Sequence, residues 1–232
     1  KVDDNGTDIP AVIETICDPK INKIKFTDGK CAEKHLNYYY NLADVQFMMT
    51  DNEGWGLSLT EGLMAGNMII APVQGGMQDQ MRFEDEKGDW IDFTTEFPTN
   101  SNGLYKKHGE WAIPMFGKTR SLKGSPPTPY IYSTQVDIED AGLALLSCYN
   151  LGREEIQRRG LKGREWLQSE EAKMTSSEMG QNFINNINIL FEKWVPIEKF
   201  TIEKVGEGHT TYNPNSVQYT PEFKQKVKKV LA

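Results

Sequence analysis

Apolar positions in this chain form two kinds of pattern that alternate along its first two thirds. Val45–Met49, led by Asp44, and the isoleucine-containing Met68–Val73 are compact apolar runs, as expected for strands buried on both faces of a parallel sheet. Other stretches repeat at helical spacing. Thr7 or Asp8 caps a helix with Pro10 in its first turn and Val12, Ile13 and Ile16 on its apolar face. Leu36, Tyr39, Tyr40 and Ala43 mark a second helix over Ala32–Ala43. Lys23–Thr27 reads as a short strand before the turn Asp28-Gly29-Lys30, and Lys1-Val2 as the end of another. A helix starts near Ser58, a short one covers Met77–Arg82, and Asp89–Phe93 is a further strand. Three helices close the pattern, at Asp137–Tyr149, Arg153–Leu167 and Ala172–Trp194, the last with Met179, Phe183, Ile187, Leu190 and Phe191 on one stripe. Strands alternating with helices imply right-handed βαβ crossovers, so the expected fold is α/β, a Rossmann-like parallel sheet with helices on both faces.

The pattern fails at residues 94–132, which are rich in Pro, Gly, Ser and Lys and carry no helical period. A connection this long is expected to be an irregular insertion, a lid or a hairpin, with GEWAIP as a strand inside it. The expected organisation is one domain over residues 1–194 and a polar tail or arm over 195–232 that ends in the basic stretch KQKVKKVLA.

Composition narrows the function. With 232 residues, 38% of them apolar, the chain holds one sizeable core, and no run is long enough to span a bilayer. A net charge of −7 argues against sequence-independent nucleic-acid binding, which needs clustered Lys and Arg. Cys17, Cys31 and Cys148 are odd in number and widely spaced, which indicates neither a disulfide framework nor a zinc site and makes a reducing cytoplasm the expected location.

The chemistry concentrates in Asp44–Gly76, DVQFMMTDNEGWGLSLTEGLMAGNMIIAPVQGG. Gly54 and Gly56 let the chain turn sharply after the first strand and approach a ligand without a Cβ in the way. The helix that follows presents unpaired N–H groups and the positive end of its dipole to the strand ends, a site suited to phosphate. Gly75 and Gly76 repeat the strand-glycine-helix device beside it, though a tight turn explains them equally well.

Glu53 and Glu61 within EGWGLSLTE, followed by GLMAG, an apolar strand and GG, resemble the E-x7-E signature of retaining nucleotide-sugar glycosyltransferases of family four. The wording EGWGLSLTE followed by GGMQDQ is similar to such enzymes encoded by marine phages and large viruses. The likeness is dense over Asp44–Gly76 and weaker from Gly6 to Met179. It implies the donor-binding C-terminal half of a GT-B fold, incomplete at its N-terminus because the basic pair that grips the donor diphosphate has no match before Gly6. It also implies that Glu53 is the catalytic-site carboxylate on the donor sugar and that Glu61 holds the ribose. The N–H groups of Gly54, Trp55, Gly56, Leu57 and Ser58, with Gly75 and Gly76, would complete the donor site. A nucleotide-diphospho-sugar is the implied co-substrate, with no metal or other cofactor, and a carbohydrate or other hydroxyl group is the acceptor. The implied partner is a missing N-terminal domain or a second copy.

Each residue also has a plainer role. Glu53 on a turn is ordinarily solvated, and Ser58 with Glu61 makes the S-x-x-E capping box, in which the glutamate only serves the Ser58 N–H. Asp79, where relatives carry a glutamate, is expected to be structural. His108 and Trp111 in KKHGEW are candidates for an acceptor pocket, or else Trp111 belongs to a hairpin core. His35 and His209 suggest no site. The rival functions are a GT-B epimerase, a phosphorylase-like enzyme, and a non-catalytic binding or assembly module. Donor binding requires Glu53, Glu61 and the bare helix start to converge at the carboxyl rim of the sheet.

Overall fold

The computed structural model describes residues 8–18, 20–27, 29–91, 103–125 and 128–195. The expectations for Lys1-Val2, Thr7 and the tail beyond Val195 lie outside them. The chain divides into two compact units, Lys1–Phe183 and Ile184–Ala232.

In the first unit, helices α1 (Ile9–Ile16) and α2 (Glu33–Leu42) precede strand β1 (Val45–Phe47). They are followed by α3 (Leu57–Met64), β2 (Met68–Pro72), α4 (Met77–Gln80) and β3 (Ala112–Met115). A hairpin, β4 (Thr119–Ser125) and β5 (Thr128–Gln135), then leads to α5 (Ile138–Leu151) and α6 (Arg153–Leu167). Helix α7 spans Ser176–Lys193.

The expected fold class holds at this level: β1, β2 and β3 form a parallel sheet in that order, flanked by helices. Gln46 pairs with Ile69, and Ile70 with Ile113. β2 is buried along its whole length, and its alternation divides the core in two. Ile69 and Ala71 face Leu59 and Leu63 of α3 and Leu167 of α6. Met68 and Ile70 face Ala141, Ala144 and Cys148 of α5. Small residues let the helices come close. A Cβ on Gly160 would sit 1.9 Å from the Gly66 carbonyl, so α6 rests directly on the turn that launches β2.

The local signals for α1 are met, since the Asp8 carboxylate accepts the Ala11 N–H at 3.2 Å. Its apolar face is not core, however, and neither α1 nor α2 has a buried residue. Lys23–Thr27 is not a strand: residues 22–27 join no ladder, and Ile24 and Phe26 are 46% and 56% exposed. An alternating sequence becomes a strand only with a hydrogen-bonded neighbour, and the outer edge of β1 has none among the described residues.

Asp89–Phe93 is corrected as well. Trp90 makes an isolated antiparallel bridge to Glu84, and Ile91 donates to the Phe83 carbonyl at 2.8 Å, because the short turn at residues 85–88 folds the chain back on itself. A parallel neighbour needs a long crossover, which a four-residue turn cannot supply. The third place in the sheet goes to Ala112–Met115, inside the supposed insertion. Residues 94–132 are therefore not one irregular excursion: they contain the third strand of the sheet, all of β4 and the start of β5.

Trp111 belongs to that central core, 6% exposed and stacked on Trp166 with ring centroids 5.0 Å apart. Trp90 meets Trp166 edge-on at 5.5 Å. Aromatic side chains of this size each bury roughly 150–250 Å², so the cluster anchors α6 against the sheet.

Candidate functional site

Two glycine turns meet at the carboxyl ends of β1 and β2, and they interlock through backbone. The Gly76 N–H donates to the Gly54 carbonyl at 2.8 Å, and the Gln74 side-chain amide donates to the Thr50 carbonyl at 2.7 Å. Gly75 has φ of +50°, and a Cβ there would lie 2.1 Å from the Glu53 carbonyl oxygen. Only glycine permits both that dihedral and that approach.

The lock sets where α3 begins. Gly56, at φ 83° and ψ 59°, is its N-cap and no side chain caps it. The first helical bond is donated by Leu59 to the Gly56 carbonyl at 2.9 Å, so the N–H groups of Leu57 and Ser58 precede the hydrogen-bonded turns. Leu57 is 70% exposed, which leaves this helix start open. The capping box does not form: Ser58 is inside the helix and not its cap, and Ser58 Oγ contacts Met48 Sδ at 3.9 Å.

A residue that the sequence did not single out holds the loop from below. Gln80 is fully buried, and its Nε2 donates to the carbonyls of Trp55 at 2.7 Å and Gly56 at 3.4 Å. Its Oε1 accepts from Thr60 Oγ1 at 3.0 Å, and Thr60 in turn accepts the Trp55 indole N–H at 2.9 Å. The Gln80 backbone carbonyl takes the Trp111 indole N–H at 3.0 Å. The sequence carries no signal that singles Gln80 out, since Gln78, Asp79 and Gln80 all stand between Met77 and Met81 and only the fold turns Gln80 to the loop.

The expected site residues separate into two neighbourhoods. Glu53, Gly54, Trp55, Gly56, Gly75 and Gly76 are in mutual contact, with Glu53 half-buried and its Oε1 accepting the Gly54 N–H at 3.1 Å. Glu61 lies one turn down α3 from Leu57, a rise of about 6 Å. Its Oε2 accepts the Tyr40 hydroxyl of α2 at 2.8 Å, and it lines a groove of 840 Å³ between α2 and α3. Burial, reinforced by the hydrogen bond and charge of Glu61, pushes the Tyr40 hydroxyl up to about 12. The convergence is thus partial: Glu53 belongs to the rim loop and Glu61 to the helix flank.

His108 and Trp111 do not form an acceptor pocket. Trp111 is core, and half-buried His108 packs edge-on against Phe83 at 6.0 Å with Nδ1 2.9 Å from the Gly109 carbonyl. The rim instead carries the β4–β5 hairpin. Thr134 N–H donates to the Asp51 carbonyl at 3.0 Å, Asn52 Nδ2 to the Tyr132 carbonyl at 3.0 Å, and Ser133 Oγ to Asp51 Oδ2 at 2.9 Å. Lys123 completes the clamp by pairing with the same carboxylate.

The hydrogen bonds from Lys123 and then Ser133 hold the Asp51 carboxyl below its usual range. A depressed carboxyl contributes stability that is present above its unfolded value and lost as pH falls through its folded one. We therefore expect Asp51→Asn to lower the melting temperature near neutral pH and to match the wild type at about pH 2, below the carboxylate range. A difference that persists in acid would show that the clamp is not ionic.

Among the described residues no three His, Cys, Asp or Glu side chains are grouped to hold a metal. Among them, too, no helix is long and apolar enough to cross a membrane. No protein-family model matches the chain, and no curated protein matches it.

Proposed function

We propose that the chain binds a nucleotide-diphospho-sugar as the donor domain of a retaining glycosyltransferase, family-four type on a GT-B fold. The single observation that carries this is the Gly76–Gly54 backbone lock, which sets an uncapped helix start at the carboxyl rim of a parallel sheet. In open α/β sheets that rim is where phosphate ligands bind. The N–H groups of Leu57 and Ser58 receive the distal phosphate and stabilise charge growing on the diphosphate leaving group. Glu53, on the same loop, accepts hydroxyls of the donor sugar, and Glu61 accepts those of the ribose. Transfer to a hydroxyl acceptor then depends on positioning and electrostatics and not on a protein nucleophile.

Titration of the whole chain with nucleotide-sugars, followed by its tryptophan fluorescence, tests this. Binding is expected in the wild type, and Glu53→Ala to lower affinity roughly tenfold, about 1.4 kcal/mol. Equal affinity in the variant removes Glu53 from the site.

A second reading, a non-catalytic binding or assembly module, draws on the edge of β1 that no strand pairs among the described residues and on the exposed Leu36, Tyr39 and Leu42 of α2. It shares the nucleotide-sugar site but gives no transfer in any assembly. An epimerase on the same fold would instead release the free epimerised sugar.

A further inference from the structure

We infer that Tyr40 is a positioning residue, which fixes the Glu61 carboxylate so that the groove between α2 and α3 distinguishes a ribonucleotide from its 2′-deoxy counterpart. This rests on the donor reading above and adds a residue that the E-x7-E pattern does not contain.

Tyr40 is held at both ends. Its backbone carbonyl accepts Asn67 Nδ2 at 2.9 Å, and Asn67 is itself buried at the turn into β2. That bond ties the last turn of α2 to the sheet, so the phenol reaches α3 from a fixed base. Its hydroxyl then donates to Glu61 Oε2 at 2.8 Å. With its proton retained to about 12, Tyr40 stays a donor throughout the physiological range.

The bond leaves Glu61 with work still to do. A carboxylate has two oxygens and about four acceptor positions. Tyr40 takes one of them, and the rest match the two adjacent hydroxyls of a ribose. A free glutamate on an exposed helix face samples several rotamers, and each must be given up on binding. Anchoring one oxygen removes most of that loss in advance. The surroundings suit a nucleoside: the 840 Å³ groove is lined by Glu33, Asn37, Tyr40, Thr60, Glu61 and Arg164, polar groups beside an aromatic ring.

The test is calorimetric titration of the full chain with uridine, guanosine and adenosine diphosphates and the 2′-deoxy form of each. The wild type is expected to favour the ribonucleotide by roughly tenfold, the value of one good hydrogen-bonded hydroxyl. Tyr40→Phe, which keeps the ring in the groove wall, should cut that preference about three- to tenfold, with a smaller loss of affinity for the deoxy form, which keeps one of the two hydroxyls. Glu61→Gln should abolish the preference.

An unchanged ribose preference in Tyr40→Phe overturns the inference. So does an equal loss for both sugars, which marks Tyr40 as a structural strut for α2. A wild type that binds both sugars equally removes Glu61 and Tyr40 from ribose recognition and leaves the helix-start anion site standing. A wild type that binds no nucleoside diphosphate takes the donor reading down, and this inference with it.

Discussion

Gly75→Ala is expected to destabilise the first unit by roughly 3–5 kcal/mol and to lower its melting temperature by about 10 °C. Two costs combine. A left-handed dihedral in a non-glycine residue costs about 1–2 kcal/mol, and Gly75 has φ of +50°. The larger cost is contact, since the new Cβ would stand 2.1 Å from the Glu53 carbonyl oxygen, and backbone cannot turn aside as a long side chain can. The turns must separate, which breaks the Gly76–Gly54 bond and moves Glu53 off the rim. Gly88→Ala is the control: it has φ of +89° and nothing within 4 Å of its Cβ, so it pays the dihedral cost alone. Calorimetry of the two variants isolates the contact. If Gly75→Ala melts no lower than Gly88→Ala, the two turns are not interlocked.

Gln80→Leu is the second large effect, about 3–5 kcal/mol with little change in volume. Leucine fills the space, but the part-buried Trp55 carbonyl loses its donor and the Thr60 hydroxyl its acceptor, at about 1–3 kcal/mol for each group. The glycine loop is then held from one side only, so nucleotide-sugar affinity should fall together with the melting temperature.

Gln80→Glu separates hydrogen bonding from packing. Thr60 would still donate to one carboxylate oxygen, but the oxygen that replaces Nε2 would face the Trp55 and Gly56 carbonyls, so this repulsion and burial raise the folded pKa above the unfolded value. The variant should therefore be most stable below about pH 4 and lose stability as pH rises through its folded pKa. A melting temperature for Gln80→Glu that is independent of pH, once corrected for the wild type, would mean the side chain escapes to solvent and the clamp is not as described.

What could be read from the sequence was whatever depends on near neighbours. The Asp8 cap and Pro10 placed α1, and the period of Arg153–Leu167 gave α6 its observed bounds. The compact runs at Val45 and Met68 became adjacent parallel strands, but only Met68–Pro72 is central and buried on both faces, whereas Val45–Phe47 lies at the edge with Phe47 exposed. The glycines of EGWG and GG marked the turns that meet at the rim. A single chain can announce such features because each follows from the dihedral freedom or spacing of a few consecutive residues.

The remainder was decided by partners distant in sequence. Lys23–Thr27 and Asp89–Phe93 have strand-like composition, yet a strand exists only where another offers its free edge, and only Ala112–Met115 obtained one. Trp111 and Trp90 carry the same side chain as Trp55, and only packing against Trp166 separates core from site. Glu61 fits both a capping box and a ligand role in sequence, with the ligand role favoured; the helix start at Gly56, which puts Ser58 inside α3, removed the box, and the Tyr40 hydroxyl, 21 residues earlier, took the carboxylate. Gln80 was silent for the same reason. Its three partners lie in the glycine loop and α3, and a buried amide has its role assigned by whichever backbone it meets when the layers close.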